Sequence, residues 1–225
     1  MEPAVTQIHY LTISTEKHLT DLHSVHGKSW AKASDVLESY PGFRRLYWGR
    51  SPEDETKVQL HVVRETLAQH KDFLFSAQYS SFKSLLQPLI TSSSTPWLVR
   101  HAHLRDFTPE PQALAKGAPV TGTAIYVSTS AAWHDGAWPL WTHIVRHVDG
   151  CLGCTGGVLE ESVDGHKNCY IVYVGWESVA KHDAYHHTEH FARNRVVLSK
   201  GNKGWREYGH IRFEGSRDRR ERERL

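Results

Sequence analysis

The sequence predicts an α+β protein assembled from two consecutive copies of one βαββαβ unit. The first observation is an internal repeat, because the segment ETLAQH at residues 65–70 returns as ESVAKH at residues 177–182. Further anchors keep the same order along the chain: residues 42–49 and 150–157, then 103–105 and 210–212. A repeat of about 100 residues indicates a duplicated domain, since solenoid repeats are shorter and need several copies.

The second observation is the order of residue patterns within the first copy. Residues 5–15 are rich in β-branched and aromatic side chains, which predicts a strand. Residues 19–40 carry apolar side chains at three- and four-residue steps and stop at Pro41 and Gly42, which predicts a helix. The remaining elements are predicted as hairpin strands 43–50 and 56–64, a helix over 66–89, a Ser/Thr-rich loop at 91–95 and a strand over 97–107.

The second copy repeats this order. Its predicted elements are a strand over 121–129, a helix over 138–148, hairpin strands 154–162 and 168–176, a helix over 179–200 and a strand over 205–214. Asp164 and Gly165 form the predicted hairpin turn. The domains are therefore expected at 1–107 and 121–215, with a Pro-containing linker at 108–120. The mixed-charge tail 216–225 is predicted to be a solvated helix end or disordered.

Composition narrows the class of protein. The net charge of +2 argues against a nucleic-acid partner, which would need an excess of basic residues. No apolar run is long enough for a signal peptide or a membrane span, so a cytoplasmic protein with no membrane partner is expected. Three clustered cysteines fit a reducing compartment better than a disulfide framework. Seventeen histidines are the anomaly, and they suit acid/base or metal chemistry.

Two short motifs, together with the order of elements, resemble those of a known superfamily. Tyr47-Trp48-Gly49 follow the first helix, and Trp176-Glu177-Ser178 open the second helix of the second copy before Tyr185. This pattern, over 5–107 and 121–214, is similar to the dimeric α/β-barrel superfamily. That superfamily includes the antibiotic-biosynthesis monooxygenases, the stress-responsive barrel proteins and the plant olivetolic acid cyclase.

The resemblance implies a fold and a place for a ligand. It implies two tandem ferredoxin-like units whose antiparallel sheets pack as an intramolecular dimeric α/β barrel. The pairing that joins two chains in the family would here join two halves of one chain, and this pseudo-dimer could form a further homodimer. The ligand pocket would lie between a sheet and its helices.

The resemblance also implies catalytic residues. In the cyclase, a tyrosine and a histidine six residues apart on the second helix do the acid/base work. Tyr185 matches the tyrosine, but Phe191 stands at the histidine position and His190 is the nearest histidine. The first copy has Phe73 and Tyr79 at these two positions. Catalysis is therefore expected in the second copy.

A histidine series supports this choice independently. His182, His186 and His190 are spaced by four, which would stack them on one side of a helix next to Tyr185. One interpretation is an acid/base site with Tyr185, His190 and His186 as catalytic residues. A metal site and a purely structural set are the alternatives. No metal is expected, because no H-E-x-x-H motif is present and the first copy retains only His70 of the three.

Five residues are predicted to contact the substrate. Trp48 and Trp176 offer flat faces for an aromatic ligand, and His182 belongs to the histidine series. His61 aligns with Tyr173, so both share a sheet face, either toward the helices or toward the opposite side. Cys151 and Cys154 instead align with Phe43 and Leu46, so both are predicted to be small buried apolar residues.

Three functions remain open. No Gly-rich phosphate loop or flavin motif is present, which favours a reaction without a nucleotide cofactor. The first hypothesis is a cofactor-free enzyme that cyclises, isomerises or eliminates from an aromatic or polyketide-like biosynthetic intermediate by proton transfer. The second is a cofactor-free monooxygenase of phenols or anthrones, and the third is a heme-binding or non-catalytic stress-response protein.

Overall fold

The computed structural model describes residues 4–91, 97–109, 114 and 117–218 of the chain. These residues form two compact units. The first comprises the described parts of Met1–His101 and Glu214–Leu225, and the second is formed by Ala102–Phe213. Each unit combines antiparallel strands with helices, so the predicted α+β class is confirmed.

The first unit is built on three fully contained strands. They are β1 (Val5–Thr12), β2 (Phe43–Arg50) and β3 (Lys57–Arg64), and β3 pairs antiparallel with both others. Val58, Leu60 and Val62 of β3 join the buried cluster under the helices. Because side chains alternate along a strand, His61 lies on the opposite face of this sheet.

Three helices cover the sheet of the first unit: α1 (Val25–Ser39), α2 (Leu67–Leu74) and α3 (Ala77–Leu86). The prediction of one helix over 66–89 was wrong. Ser76 interrupts it, because its hydroxyl donates to the Phe73 carbonyl at 2.7 Å and accepts from the Tyr79 amide at 3.2 Å. The first helix begins later than predicted, since Ser24 caps it through the Gly27 amide at 2.9 Å.

The second unit contains a larger antiparallel sheet. Three of its strands lie wholly inside the unit: β5 (Val120–Tyr126), β6 (Cys151–Leu159) and β7 (Tyr170–Trp176). It also includes residues 102–106 of β4 (Leu98–Asp106) and residues 205–213 of β8 (Trp205–Asp218). Within this unit the paired order is β4-β6-β7-β5-β8. The predicted turn of the β6–β7 connection is confirmed, because Asp164 and Gly165 have φ values of 49° and 78°.

The helices of the second unit are α4 (Trp138–Val145), α5 (Val179–His186) and α6 (Glu189–Asn194). A π-helical turn, Ala132–Ala137, precedes α4, and a 3₁₀ turn, Arg195–Ser199, follows α6. The predicted continuous helix over 179–200 was therefore wrong. Thr188 separates α5 from α6, because its hydroxyl donates to the Tyr185 carbonyl at 2.7 Å and accepts from the Phe191 amide at 3.1 Å.

The tail prediction was also wrong for its first three residues. Residues 216–218 continue β8 as strand and lie in the first unit. Arg217 holds this end of the strand, because its guanidinium reaches Asp35 at 2.7 Å and Glu38 at 2.8 Å on α1. Residues 219–225, most of the predicted loop at 91–95 and part of the predicted linker lie outside the described residues. No helix among the described residues is long and apolar enough to cross a membrane.

Candidate active site

A cavity of about 300 Å³ lies between the sheet and the helices of the second unit. Its walls come from β5, β7, β8, all three helices and the 3₁₀ turn. Six aromatic residues and two histidines line it: Tyr126, Trp138, Trp141, Phe191, Trp205, Tyr208, His182 and His186. None of its lining residues is an Arg, Lys, Asp or Glu. The cavity therefore suits an uncharged ligand with flat apolar faces.

His182 is held on three sides. Ser178 caps α5, which fixes the first turn that carries this histidine. The ring of His182 stacks on Trp176 with a centroid distance of 4.5 Å and an interplanar angle of 17°. Its Nδ1 lies 2.7 Å from Nε2 of His210 on β8. Burial, followed by His186 and His210, lowers the pKa of His182 to about 3, so the ring is neutral at pH 7.

His186 follows one turn later on α5 and also faces the cavity. Its ring centroid lies 4.6 Å from that of His182 and 4.6 Å from that of Phe191. Partial burial lowers the pKa of His186, Asp183 opposes this shift, and His187 and His210 add to it. A neutral imidazole that remains partly accessible can accept a proton from a bound molecule.

The predicted pair Tyr185 and His190 does come together. The Tyr185 hydroxyl lies 3.1 Å from His190 Nδ1, although the two residues sit on different helices. Tyr185 is buried among aromatic rings, with Trp176 at 5.8 Å and Phe191 at 5.4 Å between centroids. Burial and then Cys151 raise the pKa of this phenol to about 12. Neither Tyr185 nor His190 is among the residues that line the cavity.

The idea of one helical stripe of three histidines was therefore wrong. His182 and His186 share α5 and face the cavity, whereas His190 belongs to α6 and is exposed. Within the described part of the chain, no group of three or more His, Cys, Asp or Glu side chains is arranged to hold a metal ion.

The other predicted substrate contacts are dispersed. Trp48 packs in the core of the first unit, 5.7 Å from Trp30 between centroids. His61 and Tyr173 are both fully buried on the sheet face away from the helices of their own units. Trp176 is buried behind His182 and supports its ring rather than lining the cavity.

The first unit has an altered version of the same site. His70 corresponds to His182 in the sequence repeat. Its Nε2 lies 2.9 Å from the backbone carbonyl oxygen of Val5, and its ring lies 5.4 Å from that of His101. Phe73, Tyr79 and Phe82 form an aromatic cluster beside it. The two copies have therefore diverged at the sheet–helix interface.

Several residues of the cavity were not predicted as site residues. Tyr126, Trp205 and Tyr208 lie on β5 and β8, and Trp138 and Trp141 lie on α4. In the sequence, Trp138 and Trp141 look like core residues, and Tyr208 and His210 differ from neighbouring strand positions only by alternation. The repeat gave the one usable signal, since His210 aligns with a second histidine, His103.

Solved structures with the same fold connect this arrangement to known proteins. An anthrone oxidase-like protein is 11% identical and superposes with a TM-score of 0.69, covering 96% of this chain and 94% of its own. An inferred monooxygenase from Fusobacterium nucleatum is 7% identical, with a TM-score of 0.61 and coverages of 96% and 95%. A chlorite dismutase from Candidatus Nitrospira defluvii is 13% identical, with a TM-score of 0.54 and coverages of 96% and 93%.

These similarities define a fold. The chain has the fold of the dimeric α/β-barrel proteins, as the resemblance implied. No protein-family model matches the sequence, and no curated protein matches it. At such low identity a shared fold does not carry a shared activity, so function has to be argued from the cavity.

Proposed function

We propose that this protein is a cofactor-independent enzyme that removes a proton from a flat aromatic small molecule bound in the cavity of the second unit. The observation that carries the proposal is the position of His186, whose neutral, partly accessible imidazole lies in the wall of an aromatic-lined cavity. No Arg, Lys, Asp or Glu lines this cavity. In such surroundings the base meets the substrate with little competing water, and aromatic faces hold the ring system. Phenolic and polyketide-like biosynthetic intermediates have the required acidic C–H or O–H bonds.

Two fates of the deprotonated substrate are compatible with this site. In the first, the carbanion or phenolate cyclises, isomerises or eliminates. In the second, the anion of an anthrone reacts with dioxygen, the O–O bond breaks, and an anthraquinone forms; the proton held by His186 returns to the released oxygen, which leaves as water. The second fate is favoured by the fold likeness to an anthrone oxidase-like protein and an inferred monooxygenase. The cavity chemistry is the same for both, because each begins with proton removal.

A heme fits this cavity poorly. A porphyrin is a large macrocycle with two carboxylates, and about 300 Å³ lies at the lower end of the range of ligand cavities. No cationic side chain lines the cavity to meet the carboxylates. The purified protein, incubated with hemin and then separated from unbound hemin, is accordingly expected to show no Soret band.

The deciding experiment follows oxygen and product mass together. Purified protein, treated with a chelator, is mixed with dithranol, a dihydroxyanthrone, or with a poly-β-keto aromatic precursor. Oxygen uptake with formation of a quinone would establish the monooxygenase. An isomeric or dehydrated product without oxygen uptake would establish a cyclase or isomerase. Binding without turnover on the whole panel would contradict the proposal.

Filling the cavity provides a separate prediction. Ala124 lies on β5 in the cavity wall, and a leucine there would occupy space that the ligand needs. We expect Ala124→Leu to weaken dithranol binding at least tenfold, measured by quenching of tryptophan fluorescence. Thermal unfolding is the control, because the added side chain enters open space and should leave the midpoint nearly unchanged. Unchanged affinity would place the ligand elsewhere.

A further inference from the structure

His182 and His210 form a buried imidazole pair beside the cavity. They are 8% and 4% exposed, and His182 Nδ1 lies 2.7 Å from His210 Nε2. Their ring planes are nearly perpendicular, at 88°, so the nitrogen of one ring points at the edge of the other. This pair links α5, which carries the candidate base His186, to strand β8 of the same unit.

The neighbouring strand leaves room for the pair. Gly122 on β5 is the register partner of His210. A Cβ atom at Gly122 would lie 2.8 Å from Cε1 and 3.1 Å from Nδ1 of His182. A contact that short is not tolerated, so any larger residue at this position would push the His182 ring away from His210. The absence of a side chain at Gly122 is thus a requirement of the histidine pair.

A hydrogen bond between two neutral imidazoles has a direction, and this direction fixes the tautomer of His182. If His182 donates from Nδ1, its Nε2 carries a lone pair toward a ligand. If His210 donates from Nε2, then His182 Nδ1 is the acceptor and its hydrogen is on Nε2. His182 lines the cavity, its Nδ1 is engaged by His210, and the stacked Trp176 restricts rotation of its ring. Nε2 is therefore the nitrogen left for a ligand.

The arrangement of the two cavity histidines favours the second direction. His182 is buried one helical turn from the more accessible His186, so a hydrogen on His182 Nε2 places a donor beside the candidate base instead of a second lone pair. His186 is the more accessible of the two rings and is the better proton acceptor. A base and a donor one helical turn apart could act on two atoms of one substrate.

We propose that His210 is a positioning residue that donates a hydrogen bond from Nε2 to Nδ1 of His182, so that His182 Nε2–H donates to an oxygen of the bound substrate. This inference rests on the proposed function, because the oxygen is the one that gains negative charge when His186 takes the proton. It assigns separate roles to the two cavity histidines: His186 accepts the proton and His182 stabilises the resulting oxyanion.

The tautomer can be measured without turnover. Long-range ¹H–¹⁵N correlation spectra of the histidine side chains in the full chain distinguish the two neutral forms. We expect His182 to be almost entirely in the Nε2–H form, and we expect its Nε2–H signal to shift when dithranol binds. An Nδ1–H form of His182 in the wild-type protein would overturn the proposal.

Two variants separate positioning from a structural role. His210→Gln keeps an amide donor near His182 Nδ1, whereas His210→Leu removes it. We expect the leucine variant to populate both tautomers and to lower kcat about tenfold with KM changed less than twofold, and the glutamine variant to restore both properties. Equal behaviour of the two variants at matched thermal stability would overturn the role of His210. Absence of turnover of both dithranol and the poly-β-keto precursor in the wild type would instead contradict the proposed function, and the tautomer measurement would still decide the His210 assignment.

Discussion

Replacing His186 with glutamine is expected to lower turnover by about 10²–10⁴ while the substrate still binds, because the change removes the proton acceptor and retains most of the side-chain volume. His186 is half-buried in the cavity wall and touches Phe191, so the isosteric amide should preserve packing. The measurement is single-turnover consumption of dithranol, with binding followed separately by fluorescence. An unchanged rate constant would exclude His186 as the base.

The proposed role of His186 also predicts where the rate falls as the pH is lowered. Because partial burial lowers the pKa of His186, its neutral form persists below pH 6.5 in the folded protein. The acid limb of kcat/KM should therefore lie below pH 6.5 and should disappear in His186→Gln. His143→Gln is a suitable control, since His143 is an exposed residue of α4 and does not line the cavity. Its profile should match that of the wild type.

The same assay tests whether Tyr185 and His190, the pair predicted from the sequence, are catalytic. If Tyr185 and His190 act as general acid and base, Tyr185→Phe and His190→Ala should each cost about 10²–10⁴ in rate. Their hydroxyl–imidazole contact of 3.1 Å is compatible with such a role, but both side chains lie outside the cavity lining. A large loss in these two variants, with His186→Gln active, would move the chemistry from the cavity to the pair.

The fold could be predicted from sequence because the duplication was visible. Two copies with the same order of elements support each other, and the hairpins and cores follow from alternation of apolar residues. The helix breaks were missed for a physical reason. Ser76 and Thr188 each cap the start of the following helix, and each hydroxyl also donates to a carbonyl in the last turn of the preceding helix. The apolar periodicity nevertheless continues across them through Phe73, Phe82 and Phe191. Their equivalent positions in the repeat were the available signal.

The site could be predicted only in part. Helical spacing correctly placed His182 and His186 on one side of α5, but it extended the series to His190 across a break that it could not show. The rest of the cavity wall comes from strands and helices distant in sequence, such as Tyr126 and Tyr208. The alternation of side chains along the strands and the alignment of the two copies predict that His61 and Tyr173 share a sheet face. Only the packed structure shows that this face is turned away from the helices.

Acid is expected to destabilise this protein at a pH well above that of carboxylate titration. Burial lowers the pKa values of His9, His61, His70 and His182 to about 3, against about 6.5 in an unfolded chain. The unfolded state therefore binds more protons than the folded state below pH 6.5. The contribution of these histidines to the free energy of unfolding therefore has its full value above about pH 6.5 and decreases as the pH falls toward 3.

The size of the effect follows from the number of groups. Each histidine contributes up to about 1.4 kcal/mol per pH unit below pH 6.5, so four together remove several kcal/mol by pH 5, a large part of an ordinary domain's stability. Urea unfolding between pH 8 and 5 measures this slope, and the Asp and Glu side chains mostly titrate below that window. A flat dependence would mean that these rings become protonated without unfolding.

The two units should contribute unequally to this pH dependence of the unfolding free energy. His9, His61 and His70 lie in the first unit, where the buried guanidinium of Arg64 further opposes protonation of His9 and His70, while His182 is in the second. His61→Gln should reduce the number of protons taken up on unfolding by about one, and so reduce the slope of the unfolding free energy against pH. His143→Gln, at an exposed position, should leave this slope unchanged. Because three of the four groups are in one unit, hydrogen exchange at pH 5 should show loss of protection in β1 and β3 before β5 and β7. The reverse order would contradict the assignment of acid lability to these buried histidines.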